Sequence, residues 1–135
     1  MDETAREARL REGERVRRAV LGDAHVDRSQ ASANPFTQEL QDLVTEYCWG
    51  TIWTRDGLQP RERSFVNLGM IAALGKMAEF ELPVRGAIRN GLTPEELKEV
   101  ILQITISGGV PTAIEASRHA NRILEEMRES GELTA

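Results

Sequence analysis

The sequence predicts an all-α fold, a single-domain bundle of about six helices, on three observations. Apolar residues recur at helical spacing, and no segment of useful length alternates as a strand would. The breaks are those of helix ends: Gly22, Asn90-Gly91 and the "GGVP" stretch each follow a helical run. One start signal is complete, with Thr93 as N-cap, Pro94 in the first turn and Glu96 closing a capping box.

A chain of 135 residues has the usual size of one domain. We read it as a single unit over 1–135, with an N-terminal helix and loop over 1–34 and a helical core over 35–130. Residues 3–21 form a charged helix that Gly22 stops. Residues 22–34 read as a loop ending in the small polar run "RSQASANP". A second helix covers 36–53, with Phe36, Leu40, Leu43, Val44 and Tyr47 as its inward stripe. After the turn "TRDGLQP", the segment "RERSFVNLGMIAALG" is apolar nearly all round, which predicts the central buried helix. "EFELPVRGAIRNG" is a further helix ending at Asn90-Gly91. "LTPEELKEVILQITIS" presents Leu97, Val100, Ile101 and Ile104 to the core. A last helix over 111–129 turns Ala116, Ala120, Ile123, Leu124 and Met127 inward.

Composition removes several function classes. A net charge of −5 argues against a general nucleic-acid binder. Cys48 is the only cysteine, so no intrachain disulfide, Cys-x-x-Cys redox pair or cysteine zinc cluster can form. With two histidines as well, a protein-built zinc site is not expected. No apolar run has membrane-spanning length, and "MDETAREARLREGERV" is unlike a signal peptide. The expectation is a cytoplasmic protein with no membrane partner.

The stretch "VRRAVLGDAHVDR" gathers Arg17, Arg18, His25 and Arg28 around a glycine break. Histidine exchanges a proton near neutral pH, so His25 reads either as a surface residue or as an acid–base group. His119 lies three residues from Ala116 and four from Ile123, and reads as bordering the core face or a subunit contact. Trp49 and Trp53 share a helix face at i, i+4 spacing and could wall a pocket for a flat ring, or pack. Arg85, beside Leu82, Val84 and Ile88, is drawn toward a core edge and wants a carboxylate. That carboxylate is a substrate's, or Glu81 or Glu62 of the chain itself.

These residues, with "YCWGTIWTRDGL", "RERSFVNLGMIAALG" and "VRGAIRNGLTPEELKEVILQ", resemble the γ-carboxymuconolactone decarboxylases, within the wider alkylhydroperoxidase D-like superfamily. The resemblance implies an all-α, alkylhydroperoxidase D-like fold assembling as a homo-oligomer, a hexamer first and a trimer second. It implies cofactor-independent decarboxylation of a small carboxylated lactone, most directly 4-carboxymuconolactone to 3-oxoadipate enol-lactone in protocatechuate catabolism. In that chemistry the departing electrons spread onto the lactone oxygen, so neither metal nor organic cofactor is required. Under the resemblance His25 is the proton donor or oxyanion partner, Arg85 a carboxylate anchor, and Arg17, Arg28, Trp49 and Trp53 substrate-binding. Two positions depart from the family. Its Leu-His-x-Arg signature reads "LPVR" here, with Pro83 at the histidine, and Ser107-Gly108 stand where an aromatic residue is usual. "KMAE" at 76–79 replaces the Cys-x-x-Cys of the peroxidase-like branch, which excludes thiol peroxidase chemistry. These departures leave two alternatives open: a homologue with an altered substrate, or a non-catalytic helical oligomer that binds a small acid.

Overall fold

In the computed structural model, which describes residues 2–134, every regular element among those residues is helical. There are seven α-helices and one π-helical segment, rather than about six helices. They gather into two compact units, Met1–Gln59 and Pro60–Ala135. Among the described residues no helix is long and apolar enough to cross a membrane.

In the first unit, α1 (Ala5–Leu21) starts with a capping box. The Glu7 amide donates to Thr4 Oγ1 at 3.1 Å, and the Thr4 amide donates to Glu7 Oε2 at 3.0 Å. Gly22 ends it at φ 89°, a conformation that glycine adopts without steric cost. The chain then re-enters a helix at once. Residues 22–34 are therefore not a loop: α2 spans Asp23–Ser32. Its sequence is polar, but Val26 is fully buried, and that one anchor fixes the helix against the unit. Asn34 stops the run by accepting from the amides of Phe36 (2.9 Å) and Thr37 (3.2 Å).

The expected helix over 36–53 is two elements, α3 (Gln38–Val44) and the π-helical segment Thr45–Ile52. The π geometry falls where the backbones of α1 and this segment meet. A Cβ on Gly13 would lie 2.2 Å from the Thr45 carbonyl oxygen, and one on Gly50 would lie 2.2 Å from that of Arg9. Only two glycines permit this approach. The stripe expected to face a core does not: Phe36 is 94% exposed, and Leu40, Leu43, Val44 and Tyr47 are exposed as well. Helical spacing revealed an apolar face, but among the described residues nothing covers it.

In the second unit, α4 (Pro60–Ala73), α5 (Met77–Arg89), α6 (Pro94–Ser107) and α7 (Val110–Ser130) enclose one core. Leu68, Phe80, Val84, Leu97, Ile123 and Met127 are its largest fully buried members. Helix α4 is amphipathic rather than buried all round: Ser64, Leu68 and Ala72 face in, whereas Val66 and Met70 are exposed, as is Leu74 just past its end. The predicted capping box of α6 is present, and Glu96 also pairs with Arg61, tying the start of α4 to the start of α6. The inward faces of α6 and α7 are as predicted, with Val100, Ile101 and Leu124 only half-buried.

Candidate functional site

Arg17 lies on the same face of α1 as Gly13, Val20 and Leu21, and its side chain is 8% exposed. The guanidinium is held where α1, α2, α3 and the π-helical segment meet. Nη1 donates to Gln41 Oε1 at 3.1 Å and, at the limit of range, to Thr45 Oγ1 at 3.5 Å. Nη2 donates to Ser29 Oγ at 3.1 Å. The partners are themselves fixed: Gln41 Nε2 donates to Ser29 Oγ at 2.8 Å, and the Thr45 hydroxyl donates to the Gln41 carbonyl at 2.9 Å. Arg17 Nε is buried with no hydrogen-bond partner.

Every group bonded to this cation is neutral. The next residue shows the contrast: Arg18 pairs with Glu14 (3.3 Å), Asp23 (3.2 Å) and Asp27 (2.9 Å). No carboxylate among the described residues lies within ion-pair distance of Arg17. Burial lowers the Arg17 pKa, yet a guanidinium remains charged at neutral pH. Burial pushes the Cys48 thiol up, with the Arg17 charge pulling the other way, so the sulfur is not poised as a thiolate nucleophile. A buried charge with no bonded counter-charge is costly to the fold, and the nearby Glu14 charge offsets part of that cost.

The other expected residues of this unit are less committed. His25 is half-buried in the first turn of α2, and Arg28 on the same helix is exposed. Trp49 is buried and Trp53 half-buried, with ring centroids 5.0 Å apart and planes tilted by 35°. The two rings therefore pack on each other, as their shared face implied.

Arg85 belongs to the second unit, and its company is different. Its partner is Glu126 on α7, neither Glu81 nor Glu62. Glu126 also binds Arg122 (3.0 Å), Arg122 binds Glu81, and Glu81 Oε2 meets His119 Nδ1 at 2.7 Å. The result is a chain of ion pairs and hydrogen bonds joining α5 to α7. Pro83 sits inside α5, neither starting nor ending it, and leaves the Glu79 carbonyl without its usual i+4 amide donor. A separate apolar groove of about 430 Å³ runs between α4 and α6, lined by Phe65, Gly69, Ala73, Val100 and Ile104, with Ser107 and Gly108 along it. Among the described residues no cluster of three or more His, Cys, Asp or Glu side chains could hold a metal ion.

Ser29, Gln41 and Thr45 were not singled out from the sequence. Neutral polar residues 12 to 28 positions from Arg17 carry no local signal. The burial of Arg17 was readable, since Gly13, Val20 and Leu21 stand at i−4, i+3 and i+4.

Comparison with known proteins agrees with this all-helical architecture. The chain is 40% identical over 121 residues to the nitrosuccinic acid decarboxylase of Metarhizium robertsii, covering 90% of this chain and 85% of that protein. It is 36% identical over 121 residues to the 4-carboxymuconolactone decarboxylase of Acinetobacter baylyi, covering 90% of each. A stretch of 38 residues, 28% of this chain, is 53% identical to a 4-carboxymuconolactone decarboxylase of Pseudomonas putida, over 79% of that sequence. The model of the carboxymuconolactone decarboxylase family matches residues 38–122. The chain belongs to the carboxymuconolactone decarboxylase family.

Proposed function

We propose that this protein decarboxylates a small dicarboxylic acid whose departing carboxylate stands on a carbon attached to an electron acceptor. The observation that carries the reading is Arg17, a buried cation whose bonded partners are all neutral. The substrates named for two relatives have in common not only a pair of acid groups but also how that pair is arranged. Nitrosuccinic acid is a succinate with a nitro group on C2. 4-Carboxymuconolactone has one ring carbon bearing a carboxylate, an acetate arm and the unsaturated lactone, so it too is a C2-substituted succinate. 4-Carboxymuconolactone is the first substrate we assign, giving 3-oxoadipate enol-lactone, and nitrosuccinate is the alternative.

The chemistry asks little of the protein beyond binding and one proton. The C–C bond to the carboxylate breaks, CO₂ leaves, and the electron pair moves into the lactone or nitro acceptor. A proton then returns to carbon. Arg17 holds a carboxylate, and His25 delivers the proton. Arg85 is a second anchor only if a substrate carboxylate displaces Glu126. Trp49 and Trp53 supply an apolar wall, and Arg28 draws the anion in. An apolar surround for the departing group favours its loss, because neutral CO₂ tolerates low dielectric better than an anion does. The exposed stripe of Phe36, Leu40, Leu43 and Tyr47 supports self-association as a hexamer or trimer, and light scattering giving a 15.1 kDa particle at micromolar concentration would rule that out.

The test is CO₂ release from 4-carboxymuconolactone and from nitrosuccinate. Turnover of either supports decarboxylation and selects the substrate. Pro83, in place of the family's histidine, favours a second reading, a non-catalytic binder of small acids. Tight binding of both compounds without CO₂ would select that one.

A further inference from the structure

Resting on the reading of Arg17 as a carboxylate anchor, we propose that Arg17, Ser29 and Gln41 form a donor-only cradle for the carboxylate that the substrate retains. A serine oxygen has two lone pairs and one proton. Ser29 Oγ accepts from Arg17 Nη2 at 3.1 Å and from Gln41 Nε2 at 2.8 Å, so its acceptor capacity is used. Its proton is left to donate, and no described group accepts it. Gln41 Nε2 has a second hydrogen, and Arg17 has an unpartnered Nε–H together with a second Nη2 hydrogen. The Nε and Nη2 hydrogens lie on one edge of the guanidinium, the edge that engages a carboxylate side-on. Donors therefore exceed acceptors around a net positive charge. The complement is an anion that only accepts.

The assignment to the retained group follows from transition-state logic. Charge-assisted bonds stabilise a carboxylate as an anion, and so raise the barrier to its loss as CO₂. A cradle of this strength must grip the acetate-arm carboxylate of the substituted succinate and leave the other one to depart.

Gln41 also leaves the cradle without a bonded counter-charge. It is nearly isosteric with glutamate, and a glutamate there would neutralise Arg17 and fill the valence. Gln41→Glu should accordingly stabilise the fold while removing the site, a combination that a purely structural Arg17 would not produce.

The experiment is a calorimetric titration with succinate, which carries both carboxylates but no acceptor and so does not turn over. The wild-type protein should bind succinate. Ser29→Ala should weaken binding on the order of tenfold, the scale of one hydrogen bond to a charged group, and Ser29→Thr should restore most of it. Gln41→Glu should abolish binding and raise Tm. Undetectable binding by wild-type protein, unchanged affinity in Gln41→Glu, or a lowered Tm in that variant would each overturn the cradle. Decarboxylation that proceeds normally in Gln41→Glu would overturn the cradle and leave the proposed function standing. Succinate binding with the expected variant pattern, but no CO₂ from any substrate, would do the reverse.

Discussion

Arg17 and Arg85 are both drawn into helix packing, and they find opposite company. Arg85 enters a chain in which each arginine meets a carboxylate, through Glu126, Arg122 and Glu81, with His119 bonded to the last of them. Those side chains are between 24% and 53% exposed, so each pair contributes about 1 kcal/mol or less. The network is a strap between α5 and α7. Arg17, more deeply buried, meets an amide and two hydroxyls and no acid. Its position costs the fold stability, which a strap would not. The comparison teaches that burial alone does not set an arginine's role, because two buried-facing arginines of one chain are met by neutral groups in one case and by a carboxylate in the other.

The sharpest way to break this contrast is in activity. Arg17→Met keeps the volume and removes the charge, and kcat/KM should fall about 10²–10³-fold, the scale for removing one partner of a desolvated ion pair. Its Tm should hold or rise, since an uncompensated buried charge is gone. Steady-state kinetics with thermal denaturation checks both. His25→Ala should lower kcat about 10²-fold with little change in KM, as for a positioned acid–base group; a raised KM with kcat unchanged would make it a binding residue. Glu126→Gln, which releases Arg85, should change kcat/KM less than about threefold if the strap reading holds.

Stability sharpens the same comparison from the backbone side. Gly13→Ala pushes a methyl group against the Thr45 carbonyl and should cost about 1–3 kcal/mol by denaturant unfolding. Because Thr45 borders Arg17, succinate affinity should fall with it. In the second unit, Pro83→Ala returns an amide donor to the interior of α5 and should gain about 1 kcal/mol, less than the full helix penalty because proline also restricts the unfolded chain. Pro83→His should gain less stability but raise turnover of 4-carboxymuconolactone. An unchanged rate would place position 83 outside the chemistry.

Much of the fold was readable because its signals are local. The Thr93–Glu96 capping box, the break at Gly22 and the end at Asn90-Gly91 each depend on residues within a few positions. Helix α2 was missed because Asp and Ser favour turns and caps in isolation, and one buried valine overrode them. The π-helical turn depends on Gly13 meeting Gly50, which no single window contains. The stripe from Phe36 to Tyr47 had the right period, but period does not say what covers a face. The same distinction divides the site. Arg17 was expected only as a substrate-binding residue on a charged helix, with the sign of its burial in Gly13, Val20 and Leu21 not used, while Ser29 and Gln41 come to it from other helices. Arg85 announced its need for a carboxylate, but Glu126 is 41 positions away.

The most direct test sets the two arginines side by side in one equilibrium measurement. Succinate is titrated into wild-type, Arg17→Met and Arg85→Met proteins, with binding followed by ¹³C-carboxylate NMR. Loss of binding in Arg17→Met, with affinity kept within about threefold in Arg85→Met, is the predicted result. Full affinity in Arg17→Met, with binding lost in Arg85→Met, would contradict the account and make Arg85 the anchor.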